Sequence, residues 1–135
     1  MEANIVNGKR GFTLIELIIV ITIIGILAAI AVPIMREAPI RAKEAALKEN
    51  LFTIRSCIDQ YYADRQTYPS SLEELVSKGY MRKVPIDPIT GQADWTLVYA
   101  EEEVFEEGGE TVSGIVDVHS SSNEISLDGT PYSQW

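Results

Sequence analysis

From Leu17 to Val32 the sequence carries no charged side chain, and only Thr22 and Gly25 interrupt a run of Ile, Leu, Val and Ala. Wound as an α-helix, the stretch from Phe12 to Val32 spans roughly 30 Å at about 1.5 Å per residue, enough to cross the hydrocarbon core of a bilayer. Lys9 and Arg10 stand before it, and a mixed-charge, helix-forming sequence follows. Such polarised flanks predict a single-pass anchor whose basic end stays in the cytoplasm.

Glu16 conflicts with a plain anchor. It lies about one turn inside the apolar segment, where a lone carboxylate is expensive, at least ~2.5 kcal/mol near the bilayer centre. Nothing else between Phe12 and Val32 can neutralise it. A counter-charge would have to come from another subunit or from a chain terminus created nearby.

The hexapeptide Gly11-Phe12-Thr13-Leu14-Ile15-Glu16, with its apolar continuation, resembles the processing signature of the type IV pilin and type II secretion pseudopilin superfamily. Within it the chain looks closest to the major, G-type pseudopilins. The resemblance implies a leader of residues 1–11, cut by a prepilin peptidase between Gly11 and Phe12, and methylation of the new terminal Phe12 amine. It implies that Glu16 pairs with the terminal amine of a neighbouring subunit during assembly, and that the helix melts between Gly25 and Pro33 in the filament. The domain expectation is therefore a leader (1–11), a transmembrane and filament-core helix (12–34) and a periplasmic pilin-like head (35–135).

A chain of 135 residues holds one ordinary domain at most. The leader lacks the apolar core of a secretory signal. It carries Glu2 against Lys9 and Arg10, a net +1, so its removal takes the formal charge from −9 to −10. That balance argues against nucleic acid as the main partner, because phosphate contacts need clustered Lys and Arg. The single cysteine, Cys57, cannot close an internal disulfide. Many pilus-forming members of the resembled family carry a disulfide-closed loop near the C-terminus, so its absence leans toward a pseudopilin.

Pro33 is expected to kink or loosen the helix, with a helix end as the alternative, and Pro39 adds a second weak point. Leu47, Leu51, Ile54, Ile58 and Tyr61 recur in steps of three and four, the mark of an amphipathic helix lying on a core. Lys48, Glu49, Arg55, Asp59 and Asp64 fall mostly on the other side. Cys57, beside the stripe, reads as a small buried hydrophobe. A helix continuous to about Arg65 would be roughly 80 Å long, so its first half must face lipid or sister helices. Ser71-Leu72-Glu73-Glu74 predicts a capping box opening a short helix over 72–78, stopped at Gly79. The pattern Tyr68-Pro69, Leu72, Leu75-Val76, Gly79-Tyr80, Pro85, Asp87-Pro88 and Gly91 resembles the αβ-loop region of major pseudopilins. Residues 95–100 and 114–119 read as strands, and 125–127 as a short third. Between the first two, the glutamate-rich stretch 101–113 reads as a solvated hairpin tip, the alternative being an acidic surface for a basic partner or divalent cation. The aromatic tail, residues 130–135, is expected to cover the sheet.

No catalytic set stands out. His119 adjoins Ser120, Ser121 and Ser122, but neighbouring residues on a strand point to opposite faces, and no nucleophile-elbow spacing surrounds these serines. Zinc lacks ligands, with one His and one Cys. The resemblance implies a calcium site in the C-terminal loop, which would draw here on Asp117 and Asp128. The family's dense acidic cluster is thinned in this chain to Asp117, Glu124 and Asp128, and the alternative is a serine loop closed by side-chain-to-backbone bonds.

The expectation is thus an α+β, pilin-like fold and a structural subunit, not an enzyme, polymerising with copies of itself into a pseudopilus that drives protein export through a type II secretion-like system. Prepilin peptidase, other pseudopilins and inner-membrane assembly proteins are the implied partners. The implied location is the bacterial inner membrane, single pass, amino terminus cytoplasmic and head periplasmic, and then a periplasmic filament. The alternatives are a type IV pilus subunit and a membrane-anchored periplasmic binding domain that never polymerises.

Overall fold

The computed structural model describes residues 10–100 and 113–135. Residues 1–9 of the expected leader and residues 101–112 of the acidic stretch lie outside the described residues. The chain divides into two compact units, Met1–Ala38 and Pro39–Trp135. Helix α1, Leu14–Arg65, contributes residues to both.

In the first unit α1 contains the apolar run, with mean hydropathy of 3.0 over its best membrane-length window and none of that window buried. The side chains stand exposed all round, from Phe12 at 93% through Ile18 at 49% to Met35 at 73%. The Thr22 hydroxyl donates to the Ile18 carbonyl at 2.7 Å, so the one polar side chain of the run is satisfied within its own helix. Gly25 and Pro33 both lie inside α1. The helix therefore does not end at Pro33, although the ring removes the amide that would bond the Ala29 carbonyl one turn back.

The second unit has its own core. Leu47, Leu51, Ile54, Ile58 and Tyr61 are buried as their spacing predicts, and Cys57 joins them, its thiol donating to the Tyr80 carbonyl at 3.2 Å. Burial pushes the Cys57 thiol up from its ordinary value. Against this face lie Leu72 and Leu75 of α2 (Leu72–Ser77), Trp95, and Ile115 and Val118 of the sheet.

Ser71 caps α2 by accepting from the Glu74 amide at 3.2 Å. The return bond differs from the simple box. Glu74 Oε2 accepts from the Ser70 amide at 2.8 Å and hydroxyl at 2.7 Å, one residue earlier, while Oε1 accepts from the Tyr61 hydroxyl at 2.6 Å. The box thereby also ties α2 to α1. Gly79 takes φ +83° just past the helix, where a side chain would be strained.

The sheet has two antiparallel strands, β1 (Thr96–Tyr99) and β2 (Ile115–His119). Thr96 faces His119, Leu97 faces Val118 and Val98 faces Asp117, but Tyr99 faces Ile115, so Val116 is the extra residue of a bulge. The bulge resets the two-residue period, which lets Ile115 and Val118, three apart, both reach the core. The expected third strand at 125–127 is a single bridge, Ile125 to Pro131, because the chain turns at once through Asp128-Gly129.

Two predictions follow from this geometry. Gly114 sits at φ +124°, and a Cβ there would lie 2.7 Å from the Tyr68 carbonyl oxygen and 2.8 Å from that of Pro69. The close approach makes the Ile115 amide bond to Pro69 O at 2.8 Å. Gly114→Ala should lower the stability of the head by about 1–3 kcal/mol or more, since backbone must move; a melting temperature in detergent equal to wild type would contradict it. The second concerns acid. Tyr61 first, then Ser70, hold the Glu74 carboxyl down to about 2 from 4.5. A lowered folded-state pKa gives stability that is full above the unfolded value and is lost as pH falls from there toward about 2. Glu74→Gln should therefore flatten the decline of melting temperature across that window. Flattening should be partial, because Asp128 is also lowered to about 2, by the Ser126 and then the Thr130 hydroxyl.

Candidate functional site

The segment that the sequence singles out lies at the start of α1. Residues 10–13 have no regular structure and the helix begins at Leu14, so the Gly11–Phe12 peptide bond stands outside the first turn, exposed. A Cβ built on Gly11 meets nothing within 4 Å. Any demand for glycine there must come from a partner that handles the bond, not from this fold.

Glu16 has a local partner that the sequence reasoning missed. Its Oε2 accepts from the Thr13 amide at 2.8 Å and from the Thr13 hydroxyl at 3.1 Å, while the Glu16 amide donates to Thr13 Oγ1 at 3.2 Å. This is a capping box, with Thr13 at the N-cap and Glu16 three residues on. The signal was present as Thr-x-x-Glu before an apolar run. The box supplies hydrogen-bond donors but no positive charge, so it gives the Glu16 carboxylate no counter-charge.

At the other end of the chain the two residues of the calcium expectation, Asp117 and Asp128, bind different partners. Asp117 Oδ1 accepts from Arg55 Nε at 2.6 Å and from the Val118 amide at 2.8 Å, and its Oδ2 lies 3.5 Å from His119 Nε2. Asp128 Oδ1 accepts from the hydroxyls of Ser126 and Thr130 and from the Thr130 amide at 3.1 Å. Among the described residues no group of three or more His, Cys, Asp or Glu side chains comes together. A cation on Asp117 Oδ1 would compete with the Arg55 guanidinium. The donor set does not fit a calcium site shared by Asp117 and Asp128.

Arg55, placed by the sequence reading away from the core stripe, is instead half-buried and central. Besides Asp117, its Nη2 donates to the Val118 carbonyl at 2.8 Å and to the Trp135 main-chain oxygen at 2.6 Å. His119 Nδ1 meets the same Trp135 oxygen at 2.7 Å. His119 has no serine partner: Ser120 donates to the fully buried Asp87 at 2.5 Å, Ser121 to the Asp94 carbonyl, and Ser122 accepts from the Glu124 amide. The serine loop is thus tied into side-chain and backbone bonds of the head, as the structural alternative expected.

The family described as "Prokaryotic N-terminal methylation motif" matches residues 6–32. Beyond that segment, the chain is 39% identical over 96 residues to a type II secretion system core protein G of Pseudomonas aeruginosa, covering 59% of this chain and 68% of the relative. A type II secretion system core protein G of Klebsiella michiganensis is 31% identical over 131 residues, 82% of this chain and 91% of the relative. A type IV major pilin protein PilA of Myxococcus xanthus is 41% identical over 67 residues, but these make up only 30% of that relative. No solved structure gives a significant match. Similarity that extends from the methylation motif through the head, over nine-tenths of a relative's length, places this chain in the type II secretion system core protein G family.

Proposed function

We propose that this chain is the structural, filament-forming subunit of a pseudopilus in a type II secretion-like system. The observation that carries the reading is the likeness to type II secretion core proteins G through the head as well as the stem. The pilin likeness covers half of this chain and under a third of that relative, which makes a type IV pilus the weaker reading. The chain is anchored by the apolar part of α1, amino terminus in the cytoplasm and head in the periplasm, until assembly withdraws it from the inner membrane.

In this reading a prepilin peptidase cuts the exposed Gly11–Phe12 bond and the new Phe12 amine is methylated. The ammonium so created is the cation that Glu16 lacks. In a filament it would face the Glu16 carboxylate of a neighbour, both shielded by packed stems. Gly25 and Pro33 are the positions where α1 would give way on assembly, Gly25 by weak helix propensity and Pro33 by its missing hydrogen bond. Homopolymerisation is the principal interaction, with other pseudopilins and assembly proteins of the inner membrane as further partners. The role is mechanical and not catalytic.

Processing and pairing have separate tests. Gly11→Val should leave the leader attached while the head folds normally, since the site itself has room for a side chain; intact mass of membrane-extracted protein reads this, and assembled material that retains residues 1–11 would refute processing. Glu16→Ala removes one member of a buried pair and strands the other, a loss of about 3–5 kcal/mol per contact. Sheared-filament yield at matched expression should fall accordingly, whereas a domain that never polymerises would function undisturbed with an anchor that inserts more readily.

A further inference from the structure

The two outer edges of the sheet end differently. The Val118 amide donates to Asp117 Oδ1 at 2.8 Å and its carbonyl accepts from Arg55 Nη2 at 2.8 Å, so both groups point away from β1. The Ile115 amide also leaves the sheet, for the Pro69 carbonyl at 2.8 Å. The outer edge of β2 is thereby closed. In an antiparallel ladder, the residue opposite an outward-pointing one points outward too. Leu97 faces Val118 and Tyr99 faces Ile115, so the amides and carbonyls of Leu97 and Tyr99 stand on the outer edge of β1. The alternation holds past them, because the Ala100 amide turns inward to the Gly114 carbonyl at 2.9 Å. Among the described residues no hydrogen bond reaches the outward groups of Leu97 and Tyr99.

We propose that the outer edge of β1 is a docking edge for an extended, basic segment of a partner protein, which adds a strand to the sheet through these main-chain groups. Unpaired amides and carbonyls in a row are a template for another strand. Natural edges are commonly guarded by a charge or a proline, and Thr96-Leu97-Val98-Tyr99 has neither. Leu97 turns toward the core, while Val98 and Tyr99 remain exposed beside the edge.

Charge selects the occupant. From Val84 to Trp135 there is no lysine or arginine, against eleven aspartates and glutamates. Asp94 stands exposed just before the strand. The nearest guanidinium, Arg55, lies beyond β2 and is paired with Asp117. A segment bearing lysine or arginine is therefore drawn to this half of the head. A second copy would bring the same carboxylates with it and be repelled. The strand has only four residues, so the contact is short and exchanges readily. The inference goes beyond the pseudopilus reading and does not depend on it, since every group involved lies in the head.

The test uses the full chain in detergent micelles and reads amide exchange residue by residue by NMR. Two probes are added in turn: a peptide of alternating threonine and valine flanked by lysines, and the same core flanked by glutamates. The lysine peptide should slow exchange of the Leu97 and Tyr99 amides and leave that of Val118 unchanged, with an effect that fades as salt rises. Tyr99→Pro removes one outward amide at an exposed edge position, where proline is tolerated. It should weaken the peptide about five-fold, the loss of one hydrogen bond, at an unchanged melting temperature. Should that variant melt early, the two peptides alone decide. No slowing at millimolar lysine peptide would overturn the proposal, and so would equal slowing by the glutamate peptide. Slow exchange at Leu97 and Tyr99 in the free chain would overturn it as well. If that protection grew with protein concentration the occupant would be a second copy, and if it held at every dilution the edge would be covered by its own chain.

Discussion

Among the described residues, nothing covers the apolar run at the start of α1. Ile, Leu and Val side chains stand half or more exposed on every side, so no single face could dock on a head and bury them. A helix apolar all round belongs inside a membrane or a bundle of its own kind. Lipid tails are as apolar as leucine, so hydrophobicity alone does not choose between those two settings. The choice falls to the few polar features of the segment. Thr22 is neutral in the decision, because its hydroxyl is satisfied within the helix wherever the helix goes. Glu16 does bear on it, because the capping box gives its carboxylate donors but no counter-charge.

The second part of α1 organises the head by a different means, with polar side chains acting as struts beside the apolar stripe. Glu44 Oε1 accepts from the Leu127 amide at 2.8 Å and from the Tyr132 hydroxyl at 2.9 Å, and burial together with that bond pushes the Tyr132 hydroxyl up to about 12. Asn50 donates to the Ile86 carbonyl at 2.9 Å, and Asp64 accepts from the Tyr80 hydroxyl at 2.8 Å. Arg55 binds three acceptors on two segments. Trp135 is held further by its indole N–H on Thr130 at 2.8 Å and by Lys48 over its ring. The contacts of Glu44, Lys48 and Arg55 fasten the stretch from Asp117 to Trp135 to the helix without a covalent link, consistent with a head whose one cysteine is buried and unpaired.

How much of this was legible depended on whether the signal was periodic or merely paired. The stripe from Leu47 to Tyr61, the stop near Arg65, the cap at Ser71 and the glycine at 79 each follow from local chemistry, and each stands where that chemistry puts it. Arg55 was misplaced because a period of 3.6 assigns a charged residue to solvent, and only the arrival of Asp117, sixty-two positions later, makes its flank worth burying. The bulge at Val116 was invisible for a related reason. Strict alternation reads one strand at a time, whereas a bulge is a property of two. The Thr13–Glu16 box was readable but masked by the apolar run, which draws attention to the membrane and away from the helix start. The pairing proposed for Glu16 comes from the resemblance, whereas the residues themselves show only a carboxylate in need of a counter-charge.

Charge sets a limit on how such subunits can associate. Without residues 1–11 the chain carries a formal −10, so heads brought side by side repel, and the repulsion is felt over a screening length of about 8 Å at physiological ionic strength. The proposed contact between Glu16 and a neighbouring amine works in the opposite sense but in a different medium. It lies among packed stems, where salt screens little, while the exposed heads are screened strongly. Added salt therefore weakens the opposing term much more than the favourable one. The acidic heads can stay soluble and well separated as free subunits without preventing stems from closing, because the two electrostatic terms act on different parts of the chain. If the proposed pairing holds, specificity rests in one buried pair near the helix start, and the head surface is free to carry net charge.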